Sequence, residues 1–254
     1  MVPARLRRTR STLAALALIV ACAPASNGSS GDLLFTDARL IDGTGSPART
    51  ADVRVRDDRI LEIGDLTLAS GEAEVDATGL VLAPGFIDTH SHHDGRLTSM
   101  GDALAAVSQG ITTIIAGQDG GSPLPLADFY SELEATPVAV NVAAYVGHNA
   151  LRSAVMGEDF RREATSEEVD AMRALLRREL DAGALGLSTG LEYDPGIYSA
   201  TTEVVALARE AAALGGRYIS HMRSEDRAFF EALEELLHIG RETGIPVQVS
   251  HMKL

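Results

Sequence analysis

The chain places histidines where one metal ion could use several of them. His90 and His92 stand one residue apart in Leu80-Val-Leu-Ala-Pro-Gly-Phe-Ile-Asp-Thr-His-Ser-His-His-Asp94. Residues 81–88 read as a buried strand, because the run is short, apolar and bounded by Gly79 and the Pro84-Gly85 pair. Side chains alternate along a strand, so both imidazoles point the same way at its C-terminal end. A lone histidine is usually a satisfied surface or core residue, whereas an HxH pair ending a strand is suited to holding a cation. Two further histidines strengthen that reading. Arg217-Tyr-Ile-Ser-His-Met-Arg223 and Pro246-Val-Gln-Val-Ser-His-Met-Lys253 are near copies, each a short apolar strand followed by Ser-His-Met and a cation. His221 and His251 therefore also terminate strands. Four histidines at strand ends are hard to explain as packing.

The elements that must position them alternate between strand and helix. Strands are expected at 81–88, 112–116, 138–146, 184–188, 217–221 and 246–251. Helices are expected at 166–182, 202–214 and 225–243. Thr165 and Glu168 form a capping box for the first helix, and Gly183 stops it. This alternation implies a parallel sheet or barrel with its site at the C-terminal ends of the strands. The expected fold class is α/β, a partial TIM-type barrel of about six strands. Six strands of an eight-stranded barrel leave an open edge, so residues 81–254 read as a barrel truncated after strand 6 and the chain as the N-terminal portion of a longer protein. A complete open α/β sheet is the alternative. Residues 33–80 alternate with period 2 between tight turns such as Asp42-Gly-Thr-Gly45 and read as a small β module.

The first 21 residues read as a targeting segment. Arg5, Arg7, Arg8 and Arg10 precede an apolar run too short to span a bilayer. The only cysteine, Cys22, follows Ile19-Val20-Ala21 and resembles the lipobox of bacterial lipoproteins, where the cysteine carries lipid. An ordinary signal cleaved near Ala25 is the other reading. A single cysteine has no partner for an internal disulfide, which favours the lipid anchor. Residues 22–32 are then a flexible tether, and the expected location is the periplasm or the outer face of a bacterial membrane. All 36 acidic residues follow Cys22 while four of the 22 basic ones precede it, so the exported chain is more acidic than the net −14 of the whole. Such a charge argues against nucleic-acid binding and against electrostatic docking on anionic lipid, leaving the lipid anchor as the membrane contact.

Ala83-Pro-Gly-Phe-Ile-Asp-Thr-His-Ser-His, Gln109-Gly-Ile-Thr-Thr, Ser188-Thr-Gly-Leu-Glu-Tyr, Ser220-His-Met-Arg-Ser-Glu and Ser250-His-Met-Lys together resemble the amidohydrolase superfamily, and within it the N-acyl-D-amino-acid deacylases. The resemblance implies a TIM-like barrel flanked by a β-sandwich built partly from the N-terminal strands. It also implies zinc, one or two ions, and hydrolysis of the amide of an N-acyl amino acid. On that resemblance His90 and His92 match one metal position, and His221 and His251 the other. Where the family usually has a bridging cysteine after strand 2, this chain has Gln118-Asp119, and Asp119 is the candidate replacement, a harder ligand than thiolate. Lys253 matches a position that binds the substrate carboxylate, and Tyr193, Arg223 and Glu225 match motif positions near the site. The family's catalytic aspartate follows strand 8 and lies outside this sequence. Asp119 and Asp94 are the stand-ins, with Asp94 alternatively orienting a ligand histidine. His148, at the end of strand 3, could face the site. His93 reads as structural and His238 as a solvated helix residue.

Two other readings stay open. One is a cyclic-amide hydrolase such as a dihydroorotase or hydantoinase relative, disfavoured because strand 4 has no lysine to carboxylate. The other is an inactive, lipid-anchored metal-binding protein.

Overall fold

The computed structural model describes residues 32–252, so Cys22, the leader and Lys253 lie outside the described residues. The chain divides into two compact units, between Pro84 and Gly85.

In the first unit, β1 (Leu33–Leu40), β2 (Arg49–Arg56) and β3 (Arg59–Gly64) form an antiparallel meander, as their alternating patterns and tight turns require. β4 (Ala73–Asp76) and β5 (Val81–Leu82) both run parallel to β1, along its first and second halves. The register breaks between Phe35 and Ala38, where Asp37 adopts φ +55° and its N–H is taken by Asp52 at 2.8 Å. Leu34, Ala38, Leu40 and Val53 are buried. The described residues build one sheet here. Because Val81–Leu82 pairs with β1, the boundary falls four residues later than residue 80, and the strand expected at 81–88 is broken at Ala83-Pro84-Gly85. Proline removes a ladder donor, which accounts for the break.

The second unit carries six successive parallel strand positions: β6 (Phe86–Asp88), β7 (Ile111–Ala116), β8 (Asn141–Ala144) with β9 (Val146–Gly147), β10 (Gly186–Gly190), β11 (Arg217–His221) and β12 (Val247–Val249). They pair in chain order, β6-β7-β8 and β9-β10-β11-β12. β8 and β9 are one run interrupted at Tyr145, whose N–H bonds the Ala116 carbonyl at 3.0 Å. The expected start at 138 fails because the Ala139 N–H turns away to the Gly101 carbonyl at 2.7 Å. Helices α1 (Leu104–Val107), α2 (Leu126–Ala135), α3 (His148–Met156), α4 (Ser166–Asp181), α5 (Thr201–Ala213) and α6 (Phe229–Thr243) alternate with the strands. This is the expected partial barrel wall.

Packing follows the period of each element. Met172 and Leu176 of α4, Val204, Leu207 and Ala211 of α5, and Ala232, Leu236 and Ile239 of α6 lie on single helical faces, all buried in one cluster with Leu187 of β10 and Tyr218 of β11. β10 is buried along its whole length, as a central parallel strand covered on both faces should be. β6 differs: Phe86 and Ile87 are each 61% exposed, contrary to the buried strand expected, because β6 has a sheet neighbour on one side only. The capping box forms as expected, and Arg162 beside Glu168 draws that carboxyl down to about 2. α6 begins four residues later than expected. The Ser224 hydroxyl takes the N–H groups of Asp226 and Ala228, and this local turn replaces the first helical turn. Glu225 is thereby left in a loop at the strand ends.

Candidate metal centre

Asp119 is the focus of the site. It follows β7 and adopts φ +51°, a left-handed conformation that aspartate tolerates better than most residues. The turn is wedged against the neighbouring strands. A Cβ on Gly117 would lie 2.1 Å from the Tyr145 carbonyl oxygen, and one on Gly190 would lie 2.1 Å from the carbonyl oxygen of Asp119 itself. Ser188 of β10 ties the loop from below, donating to the Gly117 carbonyl at 2.5 Å and accepting from Gly120 N–H at 3.3 Å. Gln118 points the other way, buried, with its amide nitrogen on the carbonyls of Thr89 and Ile115.

Three imidazoles converge on the Asp119 carboxylate. Its Oδ2 lies 3.3 Å from His90 Nε2, 3.3 Å from His92 Nε2 and 3.7 Å from His251 Nε2. His251 Nε2 in turn lies 3.2 Å from His221 Nδ1. His90 and His92 sit beyond the end of β6 rather than on it. Asp88 closes a turn on the His90 N–H at 3.1 Å, so a turn, not strand pleating, aims the two rings together. Burial holds the His90 imidazole below its usual range, against the opposing pull of Asp119, which favours the neutral, ligating form.

The geometry fits a cation. Ligand atoms about 2.0–2.1 Å from a tetrahedral ion lie about 3.3 Å from one another. The separations around Asp119 cluster near that value. His90, His92 and Asp119 form one group and Asp119, His221 and His251 another, each with its ligand atoms within 4.8 Å. They share the carboxylate. Asp119 Oδ1 and His90 Nδ1 are buried without a hydrogen-bond partner, and a buried carboxylate oxygen so placed is suited to a second positive charge.

The remaining expected site residues divide. Tyr193 is present, its hydroxyl 3.1 Å from His221 Nδ1 and its ring against the imidazole at 4.3 Å. Burial and the carboxylates of Asp119, Glu225 and Glu192 raise its pKa, so the phenol keeps its proton. Glu225 is present but buried against histidines, 2.5 Å from His251 Nδ1 and 3.7 Å from His221 Nδ1, rather than on an open substrate face. Arg223 is not brought in: it makes a two-pronged pair with Glu235 of α6 at 2.9 Å and donates to the Ile197 carbonyl. Asp94 lies in the turn after His93 and makes no hydrogen bond or ion pair to a histidine among the described residues. His93 bonds Ser91 at 2.7 Å, and His238 is exposed. His148 faces away from the site. It opens α3, fully buried, and bonds Glu203 at 2.7 Å beside Arg152.

Glu192 was missed. Its Oε2 lies 3.0 Å from His221 Nε2. The signal was positional: Glu192 stands two residues past the end of β10, in the loop where barrel sites are built.

A parallel β/α wall bearing a carboxylate between two histidine pairs at its C-terminal end defines a barrel-type metal-binding protein. The family model described as "Amidohydrolase family" matches residues 73–254, and the chain belongs to that family. It is 44% identical to the D-aminoacylase of Alcaligenes xylosoxydans xylosoxydans, over 88% of this chain and 51% of that protein. It is 42% identical to the N-acyl-D-aspartate deacylase of the same organism, over 88% of this chain and 49% of that protein. Among solved structures, it resembles N-acyl-D-glutamate deacylase from Bordetella bronchiseptica, complexed with zinc and a phosphonate mimic of the tetrahedral intermediate. The TM-score is 0.79 at 39% identity, covering 86% of this chain and 50% of that one. The chain spans about half the length of the curated relatives it matches.

Proposed function

We propose that this chain carries the metal-binding half of a zinc-dependent N-acyl-D-amino-acid deacylase, which cleaves a linear amide to a free amino acid and a carboxylate. The observation that carries the reading is Asp119 standing between the His90–His92 and His221–His251 pairs. The named activities of the relatives support the choice of substrate. His90, His92, His221 and His251 would hold zinc, with Asp119 shared between two positions. Zinc bound there would supply Lewis acidity, polarising the amide carbonyl and lowering the pKa of the attacking water. The chain's own groups then orient the substrate. Tyr193, protonated and half exposed beside His221, offers its hydroxyl as a donor at the open side of the cluster. Lys253, two residues past His251, would pair with the substrate carboxylate, as the sequence resemblance assigns. β10 holds no lysine, which leaves the bridging role to Asp119 and sets this site apart from a cyclic-amide hydrolase.

We also propose that Cys22 is lipidated and holds the protein on the outer side of a bacterial membrane. Ile19-Val20-Ala21-Cys22 after a basic, short apolar segment supports this. Cell fractionation of the wild type against Cys22→Ser tests it, and wild type found wholly soluble contradicts it.

The test of the catalytic reading is binding of phosphonate analogues of N-acyl-D- and N-acyl-L-amino acids, with turnover of the matching amides, by protein loaded with zinc. Zinc-dependent preference for the D series is expected. Equal binding of both series, or preferential opening of dihydroorotate or a hydantoin, would contradict it.

A further inference from the structure

The two histidine pairs around Asp119 are not supported alike. His251 turns Nε2 toward Asp119 and His221, while its opposite nitrogen, Nδ1, lies 2.5 Å from Glu225. His221 turns Nδ1 toward His251, while its opposite nitrogen, Nε2, lies 3.0 Å from Glu192. Each ring therefore has one nitrogen in the cluster and the other facing a carboxylate, through a hydrogen bond at His221 and as an ion-pair contact at His251. His90 and His92 lack such a second carboxylate, since the described ion pairs of both go to Asp119 alone.

We propose, building on the zinc reading above, that Glu225 and Glu192 are positioning residues, which fix the tautomers of His251 and His221 and turn their free lone pairs onto the metal. An imidazole whose far N–H is given to a carboxylate presents a more basic and better-oriented nitrogen to an ion. The fold supplies both carboxylates locally. Glu225 is four residues past His221, in the loop that the Ser224 turn keeps out of α6. Glu192 sits in the loop after β10, whose partner strand β11 ends in His221. Glu225 is 6% exposed, so its placement is set by the surrounding packing, whereas Glu192 is partly open to water. Glu225 should therefore matter more.

Zinc alone is the probe. The protein is stripped with a chelator and titrated with zinc against a chromophoric competitor, and the unfolding midpoint of the metal-free form is followed separately. Loss of an outer carboxylate at a metal-ligating histidine typically weakens binding by about 10–100-fold. E225Q is expected to raise the zinc dissociation constant within that range, and E192Q by less. E225D is expected to recover part of the loss. The metal-free midpoint should stay at the wild-type value, because the carboxylate's role lies in the metal-bound state. Wild-type zinc affinity in E225Q would overturn the positioning role while leaving the deacylase reading standing. A fall in the metal-free midpoint that accounts for the whole loss of affinity, with no recovery in E225D, would assign Glu225 to packing and also overturn it. Absence of zinc binding in the wild type would overturn both readings.

Discussion

Glu203 holds two groups that cannot otherwise be buried. Its carboxylate lies 2.7 Å from His148 Nε2 and 2.5 Å from the Arg152 guanidinium, and the Arg152 side chain is 0% exposed. The other prong of Arg152 donates to the carbonyls of Phe160 and Arg162 at 3.0 and 2.7 Å. Two main-chain dipoles satisfy hydrogen bonds but do not neutralise a buried cation. Removing one partner of a buried ion pair typically costs about 3–5 kcal/mol, mostly through the charge left behind. Glu203→Gln keeps a hydrogen-bond acceptor and should fall at the lower end. Glu203→Leu, which also strands His148 and Arg152, should reach the upper end. For a domain of this size each kcal/mol shifts the midpoint by about 2–4 °C, so losses of roughly 6–20 °C are expected by scanning calorimetry. Adding Arg152→Met to Glu203→Leu should restore much of the loss, because the unpaired charge is then gone. Wild-type melting in Glu203→Gln, or a double variant that loses the sum of the two single losses, would refute this reasoning.

The same cluster sets a pH dependence. Burial lowers the His148 pKa below 6.5, and Glu203 lies below 4.5 because its hydrogen bonds and charges from His148 and Arg152 outweigh burial. The unfolded chain therefore takes up protons that the folded chain refuses, and stability should fall as pH drops below about 6.5 and again below about 4.5; His148→Gln should flatten the upper part of a calorimetric pH series. Thr165→Ala removes the α4 cap and should cost about 1 kcal/mol, read as a midpoint shift of a few degrees, with no change in zinc affinity. Gly190→Ala drives a methyl group into the Asp119 carbonyl, so zinc affinity should fall even though residue 190 has no ligand atom; unchanged affinity in a folded variant would mean the loop has room to shift.

The amino-acid sequence exposed the parts of the site that follow local rules. His221 and His251 close short apolar strands and repeat Ser-His-Met, and both end up at the cluster. The resemblance places a bridging ligand just after β7, at Gln118-Asp119, and the Asp119 carboxylate, unlike the Gln118 amide, faces the histidines. The β/α alternation that gave the barrel wall depends on apolar period and capping, which are also local. What stayed hidden depends on contacts between distant segments. Arg223 could be matched to a motif, but only the packing of α6 shows that Glu235 occupies it. His148 ends a strand like the others, yet α3 turns it toward Glu203, 55 residues away. Glu192 is one acid among many until the loop after β10 is folded against β11. The break at Pro84 was written in the residue type but outweighed by the apolar run around it.

The most direct test of the central claim is the zinc content of protein recovered from gel filtration, wild type beside Asp119→Ala and Gln118→Ala. A carboxylate shared by both histidine pairs serves every ion in the cluster. Wild type should retain zinc, Asp119→Ala should lose bound metal throughout the cluster, and Gln118→Ala should keep it. Full zinc content in Asp119→Ala, with loss in Gln118→Ala, would contradict the account.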